Sequence, residues 1–455
     1  MRHHDLVVLG AGSGNAVIDG RFSGLDVAIV EEGPFGGTCL NRGCIPSKML
    51  AHTAEVADGV READRFDVDA ALGGVRWTEA RERVFGRLDQ QAADGEQGRR
   101  RSGFVTVHRG RARFTGARTL VVEGDRGEVR LGAEQVVVAV GSRPVVPPPV
   151  RESGLPYETS DTVMRRPTPP RHLAVLGGGY IAAELAHVFH SAGSRVTVVE
   201  QQDTLLAPQD ESVSRAYTRI VRDLFDVRTG AALSRLEGEP GHLRLLLDDG
   251  STIEADTLLV AVGRTPNSDT IDADRAGIAL RDDGRIVVDA HLRTTAPGVF
   301  ALGDVCTPVP LKHVANREAQ VVAHNLLNPD DPTAISHDTV PAAVFTRPQI
   351  AQVGLTEQEC RARGLDHVTA IRRYADVAYG WALEDTTGFC KVIADPGTRR
   401  LLGAHILGPQ ASTLIQPLAI AMSLGIDVPT LAGTPYWIHP ALTEVVANAL
   451  LDLNL

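Results

Sequence analysis

The chain has 455 residues, 43% apolar and 23% charged, with a formal net charge of −11. That length accommodates about three domains of roughly 150 residues, and the acidic balance argues against nucleic acid or an anionic membrane as partner. No apolar run is long enough to span a bilayer, and five cysteines are too few for a disulfide scaffold.

The amino terminus, Met1-Arg2-His3-His4-Asp5, leads into a strand with no apolar leader, so the cytoplasm is the expected compartment. The apolar run Leu6–Leu9 is followed by Gly10-Ala11-Gly12-Ser13-Gly14-Asn15, and a second run, Val27–Val30, ends at Glu31. The pattern predicts strand, glycine turn, helix, strand and acid. Gly10 permits the tight turn, Gly12 lets the backbone approach a pyrophosphate, the helix supplies amide donors, and Glu31 can bond a ribose hydroxyl. Asn15 stands where a third glycine is expected, so the helix must pack on its strand somewhat differently.

The segment Gly36-Gly37-Thr38-Cys39-Leu40-Asn41-Arg42-Gly43-Cys44-Ile45-Pro46-Ser47-Lys48 comes next. On an ideal helix, residues five apart lie about 140° apart around the axis, with Cα atoms on the order of 8–9 Å from each other. A disulfide wants roughly 4.4–6.8 Å. If Cys39 and Cys44 form a redox pair, the helix is bent between them, and Gly43 and Pro46 are the residues that bend one. Taken alone the pair reads equally well as two inert thiols. Arg99-Arg100-Arg101, the densest basic spot, reads as a solvated helix end.

The fingerprint recurs as Leu173–Leu176, then Gly177-Gly178-Gly179-Tyr180-Ile181-Ala182, then Val196–Val199 and Glu200. Two such units are far more specific than a single glycine-rich turn. Val140-Gly141-Ser142-Arg143-Pro144 and Val262-Gly263-Arg264-Thr265-Pro266 mark crossings between domains, with Pro144–Pro149 a stiff link. Thr295–Asp304 ends in Gly303-Asp304, a carboxylate at the carboxyl end of a strand, where α/β sheets hold ligands. The expected fold is α/β: two Rossmann-like dinucleotide-binding domains and a C-terminal α+β domain. The first domain spans 1–146 and 266–330, the second is inserted at 147–265, and 331–455 serves oligomerisation.

Cys306, Cys360 and Cys390 have no partner at redox spacing and read as packing residues; no metal site is expected. Near the end, His439-Pro440-Ala441-Leu442-Thr443-Glu444 places proline at the first position of a helix with a carboxylate one turn in. Ala441, Leu442, Val445, Val446, Ala449 and Leu450 give that helix an apolar face.

In order and over essentially the whole chain, these motifs resemble the pyridine nucleotide-disulfide oxidoreductases, the flavoenzyme family of glutathione reductase and dihydrolipoamide dehydrogenase. Gly10–Asn15, Thr159–Met164, Asp376–Trp381 and Tyr436–His439 are most similar to the branch acting on mycothione, the disulfide of mycothiol. The resemblance implies FAD at the first fingerprint and NADH or NADPH at the second. It puts Gly10, Gly12, Gly14 and Glu31 on FAD, with Asp304 on its ribityl or pyrophosphate region. The implied cofactor set also takes in Ser13, Asn15, Thr38, Ala112, Gly141, Ser142, Leu311, His313, Gly177, Gly179, Ile181, Glu200 and Gly263. Lys48, paired with Glu184, would stabilise charge on the flavin, and Tyr180 would cover the ring until nicotinamide displaces it.

The resemblance further implies Cys44 as the thiol nearest the flavin and Cys39 as the outer thiol that attacks a small-molecule disulfide. His439 is the implied acid/base, oriented by Glu444 and reaching the partner subunit, which makes the enzyme a homodimer with a shared active site. One stretch departs from the branch: Glu200-Gln201-Gln202-Asp203-Thr204-Leu205-Leu206-Ala207 holds no arginine for a 2′-phosphate, so NADH is expected over NADPH. That departure keeps dihydrolipoamide dehydrogenase as an alternative. A flavoprotein that only binds is the other, and it fits poorly with retention of Cys39, Cys44 and His439. Mercuric reductase and the large thioredoxin reductases fit less, because no second cysteine pair lies near the carboxyl terminus.

Overall fold

Hydrogen bonding of buried aliphatic runs builds the first sheet. The computed structural model describes residues 1–125 and 127–455. Strands β1 (Arg2–Leu9), β2 (Val27–Glu31), β3 (Val105–Arg109), β4 (Arg111–Gly116), β5 (Thr119–Gly124) and β6 (Gly127–Val138) lie in the order β3-β2-β1-β6-β5-β4. The β3-β2-β1-β6 half is parallel. Such strands are covered on both faces and therefore read as continuous apolar runs; Leu6 to Leu9 are all buried. Helices α1 (Gly37–Arg42), α2 (Cys44–Arg61) and α3 (Trp77–Arg101) follow β2.

Strand β7 (Ser142–Pro144) leaves this unit. The proline-rich link is only partly extended, because Pro148 and Pro149 start a short helix, α4 (Pro148–Ser153). The ring-fixed φ of proline suits the first helical turn. The second sheet joins β8 (Glu158–Thr159), β9 (His172–Leu176), β10 (Arg195–Glu200) and β11 (Asp226–Thr229). A three-stranded antiparallel sheet, β12 (Leu233–Glu239), β13 (His242–Leu247) and β14 (Thr252–Ala255), precedes β15 (Thr257–Val260). The parallel order is β11-β10-β9-β15-β8, with α5 (Tyr180–Ser191) and α6 (Glu211–Val221) as crossovers.

The chain returns along β16 (Arg264–Pro266), antiparallel to β7, and β17 (Val299–Ala301) then pairs in parallel with β6 of the first sheet. After α7 (Lys312–Leu327), a third sheet forms from β18 (Ala342–Val344), β19 (Ile350–Gly354), β20 (Val368–Arg373), β21 (Phe389–Ala394) and β22 (Leu401–Leu407). It is antiparallel, in the order β18-β19-β22-β21-β20. Helices α8 (Glu357–Ala362), α9 (Ala378–Ala382), α10 (Ala411–Leu424), α11 (Val428–Gly433) and α12 (Thr443–Leu451) accompany it. No helix among the described residues is long and apolar enough to cross a membrane.

The two fingerprints repeat at atomic detail. Gly10 has φ +98° and Gly177 +106°, and a Cβ on either would stand 2.4 or 2.5 Å from the carbonyl oxygen of Ala139 or Ala261. Only glycine tolerates that position. The helices beyond them differ. Where the sequence predicts an α-helix after Gly12, the structure has two 3₁₀ turns, Gly14–Val17 and Gly20–Phe22. The span to β2 is short, Gly20 is a poor helix former, and the Asp19 side chain accepts from the Arg21 N–H, starting a new turn. Arg99 also departs from the expected solvated end. It is bonded to Asn15 and Ile18, while Arg100 pairs with Glu96 at the surface.

A second correction concerns Pro440. The last helix begins only at Thr443, and Pro440 follows a cis peptide bond outside it. Leu442, Val445, Val446, Ala449 and Leu450 are buried, whereas Ala441 lies ahead of the helix and is partly exposed.

The second and third units are joined by a buried ion pair. Lys391 on β21 donates to both oxygens of Asp210, at 2.8 and 2.9 Å, and lies 2.6 Å from Glu357. Asp210 also caps α6 through the Ser212 N–H. Burial would raise the Asp210 carboxyl, but the bonds from Lys391, Ser212 and the Glu357 N–H outweigh it and hold the group well below the ordinary carboxylate range. Lys391→Met strands this carboxylate and should cost about 3–5 kcal/mol in urea unfolding. Because the folded-state pKa is depressed, the pair's stabilisation is complete above about pH 4 and is lost as the pH falls through the folded value. The wild-type/K391M difference in unfolding midpoint should therefore shrink in strong acid.

Candidate active site

Gly12 and Gly37 bring the first fingerprint against the start of α1, where a Cβ on Gly37 would stand 2.7 Å from the Gly12 Cα. The N–H groups of Gly12 and Ser13 have no acceptor among the described residues. Glu31 lies at the carboxyl end of β2 and accepts from Ala11 N–H and Gly33 N–H, both at 2.7 Å. Burial raises its pKa against those two bonds. The second fingerprint repeats the clasp, with Glu200 accepting from Gly178 N–H at 2.5 Å and Gln202 N–H at 2.8 Å. A close glycine approach, free amides and a backbone-held acid are the parts of a dinucleotide cradle.

The cysteines straddle a helix break. α1 ends at Arg42 and α2 starts at Cys44, with Gly43 between them at φ −138°, ψ −117°. A Cβ at Gly43 would stand 3.0 Å from the Thr38 carbonyl oxygen. Gly43 alone makes the break; Pro46 sits in the first turn of α2 and does not bend it. Buried Asn41 ties α1 down by donating to the carbonyls of Phe35 and Gly37, each at 2.9 Å. Neither cysteine is bridged, and each thiol perturbs the other. The Cys39 thiol beside it lowers Cys44 to about 7 against the effect of burial, helped by the Lys48 charge. Cys39 holds the proton and is pushed far above the ordinary thiol range by the neighbouring Cys44 and by burial. The reduced pair is asymmetric, with the thiolate at Cys44.

Lys48 lies one turn along α2 from Cys44 and donates to both oxygens of Glu184 on α5, at 2.6 and 2.8 Å. Glu184 is buried and also accepts from the Phe345 N–H at 3.0 Å. The Lys48 ammonium stands 4.9 Å from the centre of the Phe345 ring. Tyr180, the first residue of α5, is 43% exposed, and Ile181 after it packs partly into the core. Ser142 on β7 donates to Asp304 at 2.7 Å, and Arg264 on β16 donates to the Ser142 hydroxyl and carbonyl at 2.8 and 2.7 Å. Gly141 and Gly263, each with positive φ, immediately precede these two strands.

Ala112 is buried on β4 opposite Val122. Leu311 caps α7, and exposed His313 faces the Pro341 carbonyl at 2.9 Å. His439 and Glu444 are paired at 2.8 Å, but the imidazole is 70% exposed and makes no hydrogen bond or ion pair to either cysteine among the described residues. Around it Tyr436 and Ile438 are also exposed.

Three residues that sequence reasoning passed over belong here. Lys312, between the expected Leu311 and His313, donates to Ser13 Oγ at 3.1 Å. Glu318 on α7 is fully buried, accepts from the Gly303 N–H at 2.6 Å and faces His337 at 2.9 Å, fixing the turn that carries Asp304. Arg264 was visible only as part of a crossing motif. No group of three or more potential metal ligands occurs among the described residues.

Residues 4–319 match the family model for pyridine nucleotide-disulphide oxidoreductases, and residues 340–450 match that family's dimerisation domain. A mycothione reductase of Mycobacterium tuberculosis is 50% identical, with both chains covered in full. A dihydrolipoyl dehydrogenase of Haloarcula marismortui is 35% identical over 98% of this chain and 95% of its own. Among solved structures, the Cu(II) complex of the HOCl-induced flavoprotein disulfide reductase RclA from Escherichia coli superposes with a TM-score of 0.87, at 26% identity and 99% coverage of each chain.

In the reduced protein, ultraviolet thiolate absorbance and alkylation should report one cysteine, Cys44, ionising near pH 7. Lys48→Met removes the neighbouring cation and should move that midpoint upward by about one unit. An unchanged midpoint would show that Lys48 does not act on the thiolate.

Proposed function

The chain belongs to the pyridine nucleotide-disulphide oxidoreductases, and we propose that it uses NADH to reduce mycothione to two molecules of mycothiol. It is an NAD(P)H-dependent disulfide oxidoreductase of a flavin-dependent family. The cradle around Gly10, Gly12, Ser13, Gly14 and Glu31 fits FAD, with Ser142 and Asp304 following the carboxyl ends of β6 and β17 at the same end of the sheet. FAD bound there supplies two-electron transfer between reduced nicotinamide and a protein disulfide.

The asymmetric thiol pair carries the reading. Cys44 keeps its charge beside Lys48, while Cys39, the protonated thiol, is the nucleophile once a base takes its proton. Cys39 sulfur attacks one sulfur of the substrate disulfide, forming a mixed disulfide and releasing the first thiolate. The Cys44 thiolate then attacks Cys39, which restores the Cys39–Cys44 disulfide and releases the second. His439, turned outward with Glu444 on its ring, is the acid/base that accepts the Cys39 proton, passes it to the first departing thiolate, and protonates the second with a proton taken up from water. An outward imidazole beside exposed Tyr436 and Ile438 suits delivery to the active site of a second copy, and the dimerisation domain supports a homodimer.

NADH preference is supported by Glu200, whose carboxylate would repel a 2′-phosphate. Arg195 is at the other end of β10, five residues and therefore roughly 16 Å away, and Arg215 is paired with Glu211. Glu200 also favours a second reading, dihydrolipoamide oxidation with NAD⁺. Turnover with mycothione, lipoamide and glutathione disulfide, each with NADH and NADPH, separates them. Mycothione should be the fastest substrate, and kcat/KM should favour NADH by about tenfold, or ~1.4 kcal/mol. Cys39→Ser or Cys44→Ser should abolish turnover, and His439→Gln should lower kcat by about 10²–10⁴. Fast turnover of lipoamide without mycothione activity would reverse the choice.

A further inference from the structure

We propose that Arg99 and Asn15 form a clamp that holds the FAD-binding loop in place of the missing first helix, making Arg99 a positioning residue for the cofactor. The inference rests on the reading that the first fingerprint holds FAD. The second fingerprint runs into a 12-residue α-helix, whereas the first is followed by a 3₁₀ turn of only four residues. One turn neither sustains itself nor orders the amides ahead of it as three turns of helix do.

Arg99, on the last turn of α3, reaches across 84 residues of sequence to supply what the helix would. Its Nε donates to Asn15 Oδ1 at 2.7 Å, and its terminal nitrogen donates to the carbonyls of Asn15 and Ile18, both at 2.8 Å. The planar guanidinium fork thus fixes one side chain and two carbonyls at once. Asn15 occupies the third-glycine position and provides an acceptor that glycine lacks. Arg99 is half-buried, burial lowers its pKa, and no carboxylate lies within ion-pair distance among the described residues. A guanidinium withdrawn from water needs such acceptors. The next residue, Arg100, is spent on Glu96 at the surface. Lys312 holds the same loop from a second element through Ser13.

The test is reconstitution of apoprotein with FAD, followed by flavin fluorescence, together with NAD⁺ affinity at saturating FAD. Arg99→Gln should weaken FAD binding about tenfold and Asn15→Gly by severalfold, since two of the three bonds remain; the double variant should be no worse than Arg99→Gln alone, because the Asn15 side chain acts through Arg99. Arg99→Lys keeps the charge but not the fork and should fall between. Arg100→Gln should bind FAD as the wild type does, and NAD⁺ affinity should hold within about twofold in every variant. If Arg99→Gln fails to fold, Asn15→Gly and Arg99→Lys carry the test. Wild-type FAD affinity in these variants, a matching effect of Arg100→Gln, or a parallel loss of FAD and NAD⁺ binding would overturn the clamp. A wild-type protein that takes up no flavin would overturn the FAD reading as well.

Discussion

Glu184 is a buried carboxylate where three units meet, and a charge in that position must be paired. Lys48 and Ser47 reach it from α2, its own backbone is on α5, and the Phe345 N–H reaches it from the start of the third unit. An unpaired carboxylate there would cost several kcal/mol, so the units are held in the one arrangement that satisfies it. That arrangement puts the cysteine-bearing end of α2 beside the second fingerprint helix. It also sets the electrostatics of the thiols, since the ammonium that neutralises Glu184 is the same cation that lowers Cys44.

The contrast between the two thiols arises from backbone geometry. Gly43 ends one helix and starts another, which brings thiols five residues apart close enough to perturb one another. Cys44 then begins α2 with Lys48 one turn on, whereas Cys39 lies within the short α1. Equal residue types thus acquire unequal acidities. A dithiol needs that inequality to present one nucleophile to the substrate and keep the other for resolution.

Features governed by local backbone constraints were legible in the sequence. The glycine turns, the acids at Glu31 and Glu200, the break at Gly43 and the return of the chain through paired crossing motifs all depend on neighbours within a few residues. Long side-chain reach was not legible. Arg99 looks like one of three equivalent arginines, because nothing near it in sequence says that its fork meets Asn15. The missing helix after Gly12 has a related cause: the glycine pattern predicts the turn, while the length of any helix beyond it depends on packing and on Gly20. Pro440 is ambiguous in sequence, because proline can precede a helix as well as begin one. Lys312 and Glu318 show a further limit, since their partners in the first unit lie hundreds of residues away or on another element.

The inserted unit is attached by β7 and β16, two short strands that lie side by side and hydrogen-bond to each other. A ribbon of that kind bends far more readily than it stretches or shears. The seating of the inserted unit is therefore fixed less by the ribbon than by the Lys391–Asp210 and Lys48–Glu184 pairs, which brace it from two other elements.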